Sequence, residues 1–143
     1  FTALRRYYLY RILNRRPPPA FDRNKVWWIP NILDVESMHE AAQNLTGYHD
    51  FTSFRAKACQ ANSPLRTLDK LDVGRYGNEI HIKASAQSFL HHQVRNLVGT
   101  LVMVGSSKMS VAEIKAVLNA RDRSAAGPTA PPDGLYLVKV DYP

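Results

Sequence analysis

The chain has 143 residues, room for about one domain or half of a larger one, and its 19 Lys and Arg against 12 Asp and Glu give a formal charge of +7 and a pI near 9.8. That excess favours a polyanionic partner, nucleic acid first. The lone Cys59 excludes an internal disulfide framework or a multi-cysteine zinc site and points to a reducing, cytoplasmic setting, while no run approaches the roughly 18 apolar residues of a membrane helix and no signal-peptide pattern opens the chain.

Residues 5–14, RRYYLYRILN, alternate with Tyr8, Tyr10 and Ile12 on one face and Tyr7, Leu9, Arg11 and Leu13 on the other, which predicts a strand. Arg5, Arg6, Arg11, Arg15, Arg16, Arg23 and Lys25 stand against only Asp22 in this region, so a basic face is expected, with Arg5, Arg6, Arg15 and Arg16 as candidates to meet the phosphates of a nucleic acid. The interleaved tyrosines offer bases a stacking surface. Pro17, Pro18 and Pro19 then break regular structure and predict an extended, solvated arm before a short strand at 26–29.

Asp34 is placed to cap a helix over 35–46, whose Met38, Ala41, Ala42 and Leu45 share a face, with Gly47 as its stop. Residues 48–64 show no sustained period and read as a long loop carrying Phe54 and Arg55, candidate ligand contacts that become RNA contacts under the resemblance given below. Strands at 65–73 and 79–86 flank Gly77-Asn78, a hairpin-turn pair. A helix over 88–104 follows, then one opened by a Ser110/Glu113 capping box and running to Arg121, with Val111, Ile114, Val117 and Leu118 facing inward. A Gly/Pro-punctuated loop (124–134) leads to a final strand at 135–142. Helices mixed with a local hairpin argue for an α+β fold with a mostly antiparallel sheet packed by helices.

The segment FLHHQVRNLVGTLV, residues 89–102, joins polar residues to an apolar helix. At helical spacing His91 and His92 both neighbour Arg95, whose guanidinium is expected at the half-buried rim of the core. A buried guanidinium requires an anion. No Asp or Glu lies within four residues of Arg95, so the partner must come from a distant segment, another chain or a phosphate. Adjacent helix residues diverge by about 100°, which argues against a shared metal ion on the two histidines. Neither a GxSxG serine elbow nor a Gly-rich phosphate loop is present. Spacing alone leaves Tyr7, Tyr8 and Tyr10 equal as candidates for a ligand-facing ring.

Four segments, FTALRRYYLY, HDFTSFRAKACQANSPLRT, SFLHHQVRNLVGTLVMVG and ARDRSAAGPTAPPDGLYLVKVDYP, make the chain resemble the C-terminal half of the bacterial tRNA pseudouridine synthase A family (TruA) over nearly its whole length. The resemblance implies the C-terminal subdomain of the pseudouridine synthase fold, spanning 1–143. It also implies isomerisation of uridines in the tRNA anticodon stem-loop without cofactor or metal, and a homodimer. The family's nucleophile is an aspartate in a Gly-Arg-Thr-Asp-Ala-Gly motif, which this sequence lacks; since the chain opens on Phe1, that aspartate is expected upstream and the fragment alone is expected to be inactive. By resemblance Tyr8 lies against the target base, Arg95 pairs with the aspartate, Leu135 walls the pocket, and His92 faces the RNA. A non-catalytic RNA-binding module and a basic protein-interaction domain are the competing readings.

Overall fold

The alternation of β1 (Arg5–Asn14) organises the sheet, because Tyr10 and Ile12 are fully buried on one face with Tyr8 half-buried beside them. The computed structural model describes residues 2–59 and 61–143; Phe1 and Gln60, which fall in two of the family-like segments, lie outside the described residues. Among the described residues six strands form one mixed sheet, an α+β arrangement that is antiparallel except for one pair. β2 (Trp27–Ile29) pairs parallel with Ile12–Asn14 of β1, while β3 (Gly47–Asp50), β4 (Leu65–Tyr76) and β5 (Glu79–Ala86) continue the sheet in the order β2-β1-β5-β4-β3. β6 (Leu135–Asp141) pairs with Arg5–Tyr10 of β1, so it shares with β2 the edge of β1 that β5 leaves open.

The sheet buries Ile80, Ile82, Ala84 and Ala86 of β5 against the helices. In β4, Leu68 and Leu71 are both buried although three residues apart, because a register shift between Leu68 and Lys70 changes the phase of the alternation. The expected strand at 65–73 runs on to Tyr76, and Gly77 turns the hairpin at φ +62.

α1 (Val35–Gln43) begins where Asp34 accepts a hydrogen bond from Ser37 N at 3.2 Å. It stops short of the expected residue 46. Asn44 and Leu45 curl back through bonds to the Ala41 and Ala42 carbonyls, which puts Leu45 in the core, and Gly47 opens β3 at φ +99 instead of ending the helix.

α2 (Gln93–Gly105) starts five residues later than 88 because His92 adopts φ +61, a left-handed conformation incompatible with the interior of a right-handed helix. α3 (Ile114–Ala120) is preceded by a tight turn at Val111–Glu113, where Ser110 Oγ accepts from Glu113 N at 3.3 Å. Ile114, Val117 and Leu118 are buried as expected and Val111 is half-buried.

The long loop expected at 48–64 is largely folded. β3 takes its start, a turn at Thr52–Phe54 follows, and Phe51 and Phe54 are fully buried. Ser53 fastens the turn to the helices, its hydroxyl donating to Val117 O at 2.6 Å and accepting from Asp122 N at 3.0 Å.

The single basic face also divides. Arg5 and Arg6 stand at one end of β1 and Arg15 and Arg16 beyond the other, roughly 30 Å apart at about 3.3 Å per strand residue. The proline arm folds back onto itself, since Arg15 donates to Pro17 O and Pro18 O at 3.1 Å and Trp28 Nε1 donates to Arg15 O at 3.0 Å.

Candidate functional site

A hollow of about 380 Å³ opens where the middle of β1, the start of β6 and the turn into α2 meet, lined among others by Tyr8, Phe89, His92, Gln93, Arg95 and Leu135. That volume lies within the range of small-ligand sites. Four residues expected to act together, Tyr8, His92, Arg95 and Leu135, are thus neighbours although they span most of the sequence. A larger hollow of about 870 Å³ borders Arg15, Arg16 and Arg75 but has no aromatic side chain in its lining.

The structure separates the three tyrosines that spacing left equal. Tyr10 is fully buried, its hydroxyl donates to Pro131 O at 2.6 Å, and burial pushes its phenol far above the ordinary range. Tyr7 faces the opposite side, donating to Asp141 Oδ2 at 2.7 Å beneath Lys139. Tyr8 borders the hollow, its ring held edge-on by Phe89 at 5.2 Å between centroids.

Arg95 is half-buried, as expected for a guanidinium at the core rim. Its Nε donates to Ala130 O at 2.7 Å, while its own backbone carbonyl accepts from Ala130 N at 3.0 Å, so one residue of the 124–134 loop grips it twice. A terminal nitrogen lies 3.2 Å from His92 Nε2. Among the described residues no carboxylate forms an ion pair with Arg95.

The loop that holds Arg95 is itself clamped to α2. Arg123 donates to Gly127 O at 2.7 Å and to Asn96 Oδ1 at 2.9 Å, and Thr129 Oγ1 donates to that same oxygen at 2.6 Å. Gly99 permits the approach, since a Cβ there would fall 1.6 Å from Pro128 O. Asn96 completes the clamp by donating to Phe54 O at 2.9 Å.

His91 and His92 lie in the turn before α2, not on a helix, and their rings stack at 3.9 Å between centroids. The expected 100° divergence therefore does not apply to them; among the described residues, however, no three His, Cys, Asp or Glu side chains gather as a metal site requires. Burial, then the charges of His91, Arg95 and Arg123, hold the His92 imidazole below its ordinary pKa.

Other expected contacts sit elsewhere. Phe54 is fully buried against Phe51 and presents no surface to RNA; its ring serves the core beneath the site. Arg55 lies outside the hollow and, among the described residues, makes a long contact to Ala61 O at 3.5 Å, though the next residue joins the site through Ala56 N donating to His91 O at 3.0 Å. Arg5 is paired with Asp69 at 2.9 Å and Arg6 donates to Gln87 O at 2.8 Å, so both have intramolecular acceptors, whereas Arg16 is exposed. Sequence reasoning missed Phe89, Gln93 and Ala130. Gln93 had a readable signal: Gln three residues after Leu90 has capping-box spacing, and its Oε1 accepts from Leu90 N at 2.8 Å.

A family model described as tRNA pseudouridine synthase matches residues 41–143. A tRNA pseudouridine synthase A from Rhizobium leguminosarum bv. trifolii is 59% identical over 143 residues, covering 100% of this chain and 53% of the relative. One from Mesorhizobium japonicum is 60% identical over 100% of this chain and 58% of the relative, and one from Bartonella henselae 54% identical over 99% and 58%. The chain therefore spans little more than half the length of the curated relatives it matches.

Proposed function

The chain belongs to the tRNA pseudouridine synthase family, and from that premise we propose that it supplies the substrate-orienting part of a pocket converting uridine in tRNA to pseudouridine. The observation that supports this most strongly is the convergence of Tyr8, Arg95 and Leu135 on one hollow. The reaction breaks the bond from uracil N1 to ribose C1′ and forms one from C5 to C1′. C5 loses a proton, N1 gains one, and no atom is gained or lost overall.

A uridine must leave its stack before this bond is reached, and an aromatic ring restores about 1–3 kcal/mol of stacking per base. Tyr8, steadied by Phe89, supplies that ring; Leu135 forms the apolar wall. Arg95 is the partner of a carboxylate nucleophile, keeping it ionised through opposite charge. In this reading that nucleophile is an aspartate of the motif that the resemblance implies and this sequence lacks, carried by the part of the relatives' length that this chain does not span. The uridines are those of the anticodon stem-loop, Arg5, Arg6, Arg15, Arg16 and Arg55 provide contacts along the RNA, and the working form is a cytoplasmic homodimer.

Tritium release from C5 of labelled uridine in tRNA tests the reading in the full-length protein. Wild type should release tritium, and Tyr8→Ala should lose about 10²-fold in rate while keeping most of its tRNA affinity. Undiminished turnover by Tyr8→Ala overturns the pocket, and tight tRNA binding with no release by wild type favours a non-catalytic RNA-binding module.

A further inference from the structure

The turn ahead of α2 is built to hold one imidazole in one place. His92 sits at φ +61, where histidine is among the better-tolerated non-glycine residues. Reciprocal hydrogen bonds lock the turn: Leu90 N donates to Gln93 Oε1 at 2.8 Å, and Gln93 N donates to Leu90 O at 3.0 Å. The His91 ring stacks on its neighbour at 3.9 Å. Held so, His92 Nε2 lies 3.2 Å from a terminal nitrogen of Arg95.

A guanidinium has five N–H donors and no acceptor, so at this contact the imidazole nitrogen must accept. Its proton is then on Nδ1. On the other side of Arg95, Nε donates to Ala130 O at 2.7 Å. Contacts at two nitrogens fix the plane of the group, and its remaining N–H donors have no carboxylate among the described residues.

We propose that His92 is a positioning residue: a neutral imidazole that accepts a hydrogen bond from Arg95 and orients the guanidinium toward the reacting groups, instead of touching the base itself. The inference rests on the pocket reading above and revises the expectation that His92 faces RNA. Protonating the ring replaces an acceptor with a donor and sets two cations 3.2 Å apart. The charged groups facing it are His91 from the same turn, Arg95 from α2 and Arg123 from the loop after α3, and each opposes its protonation. No carboxylate among the described residues pairs with His92.

Two variants of the full-length enzyme test this across pH. Asparagine tolerates the left-handed backbone but withdraws the acceptor, whereas the amide oxygen of glutamine reaches about as far as Nε2 and does not titrate. His92→Asn should lower kcat about tenfold with KM little changed, and His92→Gln should recover most of it and lose the acid limb expected of wild type below the ordinary imidazole value of 6.5. Equal losses in both variants, a rise in KM with kcat preserved, or a wild-type acid limb in His92→Gln overturns the proposal.

A second readout is independent of turnover. In the folded full-length protein, NMR titration should show the His92 pKa rising when Arg95 is replaced by Gln; no rise means that the pair is absent. If wild type proves inactive on tRNA the pocket reading fails, while this titration still decides whether the two side chains are coupled.

Discussion

Two arginines on the same fold have opposite surroundings. Arg11, near the far end of β1, is met by Glu79 through both nitrogens of one fork, at 2.8 Å each, with Asp22 at 3.5 Å and the Tyr136 ring 5.8 Å away. The Arg11 hydrogen bonds, aided by His81 and opposed by burial, hold the Glu79 carboxyl at about 2. Arg95 meets a backbone carbonyl and an imidazole, neither of which neutralises it. The charge of Arg11 is spent on folding. That of Arg95 is fixed in direction without an ion pair among the described residues, and in the proposed reading it meets a ligand.

The comparison breaks most severely from beneath the Arg95 side. Phe54→Ala removes a fully buried ring under the turn that Asn96 grips, and should cost about 3–5 kcal/mol in denaturant unfolding. Gly99→Ala should follow at about 2–3 kcal/mol, because its Cβ falls 1.6 Å from a backbone oxygen and the loop carrying Ala130 must move. Tyr8→Phe/Ala comparisons of turnover on that background would then report a pocket that has lost its grip on Arg95.

The Arg11 side is broken by acid. The folded pKa of Glu79 lies below its ordinary 4.5, so its contribution is complete above that value and is lost as pH falls towards about 2. Allowing for solvent screening of a partly exposed pair, thermal or urea unfolding should show on the order of 1–2 kcal/mol lost over that window. An Arg11→Gln variant should show the loss already at neutral pH and little further loss from this pair. The smallest effect belongs to exposed Arg16: Arg16→Ala should change stability by less than about 0.5 kcal/mol and, if the residue meets a phosphate, lower the salt slope of tRNA binding by about one.

Much of this scaffold was legible from local periodicity. The β1 alternation and the Gly77 hairpin formed where spacing put them, since both depend on neighbours one or two residues away. The turn at Thr52–Phe54 was not legible: Phe54 and the Phe51 that precedes the turn are three residues apart, and the partners that fasten it, Val117 and Asp122, are distant in sequence. The start of α2 was misplaced because a single left-handed residue, stabilised by the Gln93 side chain, interrupts an otherwise helical pattern. The choice of Tyr8 over Tyr7 and Tyr10 required tertiary geometry, because the residues that separate them, Phe89, Pro131 and Asp141, belong to other elements. The lack of a local acid beside Arg95 could be read directly, as could its place at the rim of the core; the doubled grip of Ala130 could not.

Single-turnover tritium release by full-length Arg95→Gln and Arg11→Gln, each measured beside its melting temperature, tests the division of labour most directly. Arg95→Gln should lose about 10²-fold or more in rate with a small change in melting temperature, and Arg11→Gln should melt earlier while its folded fraction turns over at the wild-type rate. Normal turnover by Arg95→Gln, or an equal loss of rate in both, contradicts the account.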